Sequence, residues 1–579
     1  MRTRLSLPWL SVASVLALGM HAAGCGDNGS TTSTGSNSSS SSSSGDVSSS
    51  SSSSSTGGMG GSAGMGGNAG MGGNAGMGGS GGAGGAPIIC QPNMTTSCYS
   101  GPMGTQDVGL CVGGKWTCNA EGTAYGPCMG EIVPIAENCA TPTDENCNGA
   151  GPDCGVAIWS KRFGDFDGQY GRAIAADADD NVYVTGVFYR NLDFGMGPFT
   201  ATSLDGFLVK FDPLGNVLWT KQIGGSGSEQ PISLAIDGAG NVVVAGNFSN
   251  TVDFGGGPLV ASDVDMFVAK YDAMGQHLWS KRFGNLDVQS ARAMAIDSQN
   301  NILIGGDFAG SISFGGPTMM ATSVDLFALK LDSNGNHVWS KQFSHADPNQ
   351  PELLDVATDA AGNSVFAGIF FGTVNFGGVP LTSAGSYDTF LVKLGPTGDH
   401  LWSKRYGDGL DQSPNGVGFD EMGNLFVAGS FKGSIDLGGG TLTSAGNDDF
   451  FVARLDGNGN HVWSKRFGDT QQQFVTDLGV TKSGDLTFVV TMGGTVNFGG
   501  GPLTSAGSLD IGFARFDANG NHQWSHRVGD SAQQTSHAIT FDPGGHILLT
   551  GELAGSVDFG TGVLTSAGSS DLVVAKLAP

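Results

Sequence analysis

Basic residues are scarce in this chain. It holds 26 Lys and Arg against 52 Asp and Glu over 579 residues, a net charge of −26. Phosphate-rich partners would be repelled, so general nucleic-acid and anionic-membrane binding is excluded. Eighteen of those 26 cations occupy two slots of a repeat described below, which leaves few for a basic patch. Beyond the first 25 residues no apolar run is long enough to span a bilayer. From Val156 onward no segment carries a long helical period. Cysteine is confined: eight of the nine fall between Cys90 and Cys154. That stretch has no CxxC pair and no histidine, which argues against zinc.

Glycine is what the chain has in excess, 99 residues, the mark of many tight turns and flexible linkers. The first residues read as a targeting segment: Arg2 and Arg4, then the apolar "LSLPWLSVASVLALGM", then "AAGC" ending at Cys25. This resembles a bacterial lipobox, although the Leu preferred three residues before the cysteine is Ala22 here. The resemblance implies cleavage before Cys25 and a lipid on its thiol. That lipid would be the only membrane attachment, at the outer membrane or cell surface. An ordinary secretory signal cut near Ala23 is the other reading, and both export the protein. Residues 26–86 are serine- and glycine-rich with little to bury, and are expected to be a disordered tether.

Residues 87–155 form a cysteine-rich module. Cys90, Cys98, Cys111, Cys118, Cys128, Cys139, Cys147 and Cys154 predict four disulfides in an exported segment, with connectivity left open. Within it, "ENCATPTDENCNGAGPDC" resembles a cysteine-rich motif of myxobacterial surface lipoproteins, sometimes labelled a metal-binding motif. Asp144, Glu145, Asn146, Asn148 and Asp153 supply hard oxygen donors of the calcium type. EF-hand spacing is absent, and a disulfide-pinned acidic turn without metal explains the same residues.

The remainder, 156–579, is a tandem array. Trp159, Trp219, Trp279, Trp339, Trp402, Trp463 and Trp524 are spaced 60, 60, 60, 63, 61 and 61 residues apart. Each unit holds four short segments of strand character joined by Asn-Gly and Gly-rich turns, for example "DLFALKLD", "SNGN" and "HVWSKQF". Seven helix-free units predict an all-β fold, a seven-bladed β-propeller. The array opens with a lone "VAIWSKRFG" and stops after a seventh third strand. The first segment is therefore expected to complete the last blade and close the ring, leaving no open edge. "DAAGNSVFAGIFFGTVNFGGVPLTSAGSYDTFLVKLGPTGD" from Asp359 resembles the unit of the bacterial β-propeller repeat family labelled SBBP. That resemblance covers about 420 residues and implies the fold and extracellular placement, with no reaction attached.

Two rings of polar residues stand out. Asp205, Asp265, Asp325, Asp388, Asp449, Asp510 and Asp571 open the third strands, and are expected to accept backbone N–H groups of the preceding turn. Ten residues after each Trp come Gln169, Glu229, Gln289, Asn349, Gln412, Gln473 and Gln534. Near the ring mouth they would bind a polar ligand, a glycan, peptide or protein, or else tie the blade-to-blade connectors together. Histidine gives little: His277, His337, His400, His461 and His522 share one repeat slot, while His345, His526, His537 and His546 fall off the pattern. No Ser–His–Asp order or phosphate-cradling loop is present, and no unit carries a quinone-binding set. The expected role is a surface-anchored, non-enzymatic binding or scaffold module without a certain cofactor. The alternative is an extracellular lyase or hydrolase working at the ring mouth.

Overall fold

The computed structural model describes residues 89–135, 143–147, 149, 154–345 and 350–579. Cys25, the targeting segment, the 26–86 segment, Cys139, Asn148, Asp153 and Asn349 lie outside them.

The regular elements among the described residues are all strands. Seven four-stranded antiparallel sheets form the blades of a propeller. Blade 1 comprises Gln169–Ala176, Val182–Leu192, Phe199–Phe211 and Val217–Ile223, and blades 2 to 6 repeat that order. Blade 7 takes Gln534–Phe541, Ile547–Leu553 and Asp571–Leu577 from the end of the chain and Ala157–Phe163 from before blade 1. In that closing pair Trp159 lies opposite Lys576 and Phe163 opposite Leu572. The first strand of each blade is innermost, and these strands neighbour one another all round the ring. The tryptophan strand is outermost.

Turn chemistry sets each outer hairpin. Asp212 Oδ1 accepts the N–H groups of Leu214 at 3.0 Å and Asn216 at 2.7 Å, while Gly215 takes φ of +81°. Only glycine adopts that backbone without strain, which is why the Asn-Gly signal recurs. Blade packing follows from the period-two pattern. Third strands such as Asp388–Leu394 are buried along their whole length between neighbouring blades. Phe376 of a Gly-rich connection wedges against Phe390 (4.6 Å between centroids) and against Phe343 of the preceding blade (5.1 Å). Burying one such ring contributes about 2–3 kcal/mol.

Each tryptophan also reaches the next blade. Six indoles donate to a carbonyl in the next blade's outer turn at 3.0–3.3 Å, from Trp159 to Pro213 through Trp463 to Ala518. Buried ion pairs sit beside these bonds. Lys330 Nζ lies 2.7 Å from Asp297 Oδ2, and Lys576 Nζ lies 2.7 Å from Asp542 Oδ2. At the closing junction the outer turn is missing, and Cys154–Gly155 stands in its place. Gly155 has φ of +69°, like the turn glycines, and His526 Nε2 bonds Cys154 O at 2.8 Å. Trp524 Nε1 has no partner among the described residues. The cysteine-rich segment therefore ends in the seam of the ring, with Cys154 in the apolar cluster of Trp524, Phe559 and Leu577.

Within that segment Thr95–Cys98 pairs with Gly114–Thr117. Disulfides join Cys90 to Cys118, Cys98 to Cys128 and Cys111 to Cys147, and Cys154 is also disulfide-bonded.

Candidate functional site

The two polar rings take structural places. Asp449 Oδ2 accepts Ala445 N at 2.8 Å, as expected of this slot, and also pairs with Arg466 of the outer strand. Four other blades repeat the Arg pair, and blades 1 and 3 substitute Gln222 and Gln342. The arginine partner was readable: Arg466 lies opposite Phe451, hence diagonal to Asp449 on the same sheet face.

Gln169, Glu229, Gln289, Gln412, Gln473 and Gln534 are fully buried. Gln412 Nε2 donates to Asp408 Oδ1 at 2.9 Å and Lys432 O at 3.0 Å, and its Oε1 accepts Asp408 N at 3.0 Å. Both amide hydrogens are consumed, so this slot staples the connector and leaves no donor for a ligand. Strand register also corrects the seventh member. Glu352 holds the place of Tyr170, so Pro351, not Asn349, precedes it in the slot. Glu229 is the deviant: it accepts Gly225 N at 3.0 Å through Oε2, while Oε1 has no partner among the described residues. Burial first, then the nearby Asp205, pushes its carboxyl up to about 7.

The expected calcium donors are partly described. Asp144 Oδ2 accepts Gly149 N at 2.8 Å, and Thr143 donates to Glu145 Oε1. Among the described residues no group of three or more His, Cys, Asp or Glu side chains is placed to hold a metal ion. The off-pattern histidines are not gathered. His526 caps the seam, His546 bonds Asp542 in a turn, and His537 lies on the inner strand.

A different ring carries the chemical variety. Pairing between first and second strands slips once in every blade, at Arg172, Ile232, Arg292, Leu354, Asn415, Thr476 and His537. A bulge leaves one residue unpaired and re-aims its side chain. These seven stand near the connector end of the inner strands, where the central channel opens. Six residue types fill the seven places, with only arginine occurring twice, although the framework around them repeats.

Two charged clusters form there. Across blades 7 and 1, His537 Nε2 is 3.7 Å from Glu552 Oε1, with side chains 13% and 18% exposed. Glu552 also acts electrostatically on Tyr170 and Arg172 of blade 1. Burial raises the Tyr170 phenol and lowers the Arg172 guanidinium from their ordinary values. Across blades 3 and 4, Arg292 Nε bonds Asp307 Oδ1 at 2.7 Å, and Glu352 lies near both. Burial outweighs the Arg292 charge and raises the Glu352 carboxyl. Deeper in the same strands Asp355 and Asp477 accept N–H groups of the adjoining blades, Val417 at 2.7 Å and Ile539 at 2.8 Å. Burial pushes Asp355 up to about 7, and burial and then Asp355 push Asp477 well above the carboxylate range. Such an array offers donors and acceptors for a polar ligand. The signal in the sequence was the set of non-repeating positions inside an otherwise regular unit: "QYGRA", "QSARA", "PELLD", "QTSHA".

No family model matches the chain. It is 26% identical over 435 residues to the regulatory protein FlaEY of Caulobacter vibrioides, covering 67% of this chain and 43% of the relative. It is 22% identical over 397 residues to an uncharacterised WD repeat-containing protein of Acanthamoeba polyphaga mimivirus, covering 54% of this chain and 28% of that one. The chain thus spans less than half the length of these relatives. Among solved structures, a polysaccharide lyase acting on ulvan aligns with 12% identity and a TM-score of 0.40, covering 71% of this chain and 97% of the lyase. Virginiamycin B lyase of Staphylococcus aureus aligns with 10% identity and a TM-score of 0.35, covering 72% of this chain and all of the lyase. The chain is a β-propeller repeat protein.

Proposed function

We propose that this protein is an exported, non-enzymatic binding module that takes a polar ligand at the connector-end mouth of its channel. The observation that carries the reading is the bulge ring. Staples, ion pairs and turns recur round the ring with few substitutions, yet the bulge positions vary and build two clusters, Arg172 and His537 with Glu552, and Arg292 with Asp307 and Glu352. Structural repetition would be served by one residue in all seven places. Variation at a shared position of a rigid ring is what recognition of an asymmetric ligand requires.

The disulfides support export, since such bridges persist in oxidising compartments. The "AAGC" sequence supports a lipid on Cys25, and the unit phrase supports the SBBP type of repeat. Replacing Cys25 with Ser should release the protein from membranes, and intact-mass analysis showing an unacylated mature terminus would end the anchor reading. The ligand reading is tested by screening the full chain on glycan and peptide arrays beside an Arg172→Ala/Arg292→Ala variant. A hit lost in the variant supports the mouth as the site. A hit retained at full strength moves the site elsewhere, and cleavage of the bound ligand would replace binding by the lyase or hydrolase alternative.

A further inference from the structure

Ten arginines lie among the described residues, and nine of them have a carboxylate within 4.0 Å. Arg172 is the exception. Its guanidinium makes no ion pair and no hydrogen bond among the described residues. It is only partly exposed and stands on an inner-strand bulge at the channel mouth. A guanidinium with five N–H donors and no acceptor among the described residues is free to pair with an anion of matching geometry.

The surroundings narrow the choice of anion. Tyr170 and Tyr189 lie near enough to act electrostatically on the guanidinium, and Tyr189 is 44% exposed, so one aromatic ring faces solvent in the same neighbourhood. Glu552 lies near enough to act on Arg172 but outside pairing distance, its side chain 18% exposed and backed by the buried His537 Nε2 at 3.7 Å. One unpaired cation, an exposed tyrosine and a partly exposed carboxylate acceptor suit a small ring bearing one carboxylate and several hydroxyls.

We infer that Arg172, with Tyr170 and Tyr189, seats the carboxylate of an acidic saccharide at the junction of blades 7 and 1. The carboxylate pairs with the guanidinium, the sugar lies on Tyr189, and ring hydroxyls meet Glu552. This deepens the reading of the mouth as a polar-ligand site and rests on it.

Calorimetric titration of the full chain with trigalacturonic acid and with galactotriose tests it. The acid should bind at least tenfold more tightly. Arg172→Gln should remove that preference while leaving galactotriose affinity within about twofold, and Glu552→Gln should strengthen the acid by removing a like charge. Arg172→Lys, which keeps the charge but not the fork, should retain part of the preference, and serves if the Gln variant folds poorly. Equal affinity for the two sugars, binding of neither, or loss of both in Arg172→Gln overturns the inference. An array hit on an uncharged ligand that the Arg172→Ala/Arg292→Ala variant loses would, alongside such a result, leave the mouth standing as a binding site without this anion.

Discussion

Replacing Glu229 with Gln should stabilise the ring, and only above acidic pH. Glu229 is fully buried in the slot that five other blades fill with glutamine. Its carboxyl is raised from about 4.5 to about 7, first by burial and then by Asp205. Asp205 adds to the strain because its neighbour in the outer strand is the neutral Gln222, where five blades place arginine. Between those two pH values the folded protein keeps a proton that the unfolded chain has released. Stability therefore falls as pH rises from about 4.5 to about 7, and stays lowered above. The shift corresponds to about 3 kcal/mol. Gln carries no charge and removes that loss, so the variant should gain up to about 3 kcal/mol at pH 8 and nothing at pH 4. Urea midpoints of parent and variant across pH 4 to 8 provide the assay. A difference between the two that stays constant over this window would refute the reasoning.

Lys330→Met leaves Asp297 as an unpaired buried carboxylate, the two side chains being 4% and 1% exposed. It should cost about 3–5 kcal/mol in urea unfolding, whereas Lys482→Met at an exposed pair should change stability by less than about 0.5 kcal/mol. A chain starting at Asp165 loses the strand that completes blade 7 and should melt lower and aggregate, while one starting at Gly155 keeps its ring. Equal melts would contradict closure by Ala157–Phe163. Thiol titration of denatured protein without reductant should find no free thiol from Cys90 to Cys154, and two or more reactive thiols would contradict a fully bridged module.

Much of the architecture was legible because its causes are short-range. Asn-Gly turns, period-two strands and a 60-residue tryptophan spacing are local facts, and they sufficed for seven blades, four strands each, and the closing strand. The third-strand aspartates were legible as acceptors for the same reason: Ala445 N is four residues from Asp449. The glutamine slot was half legible. Spacing located six of its members, but whether their amides faced a ligand or a connector depended on burial, which a residue count does not contain.

The sequence by itself determined that the chain is a repeat of antiparallel four-stranded units, because turn chemistry and side-chain alternation act over a few residues. Only the tertiary structure decided where its unpaired chemistry gathers. Arg172 and Glu552 are separated by nearly the whole array, yet ring closure makes blades 7 and 1 neighbours. The bulges that re-aim Arg172 and His537 arise from the pairing of each first strand with its second. Pairing register and blade order are properties of the closed ring, and they set which residues meet at the mouth and which of them lack a partner.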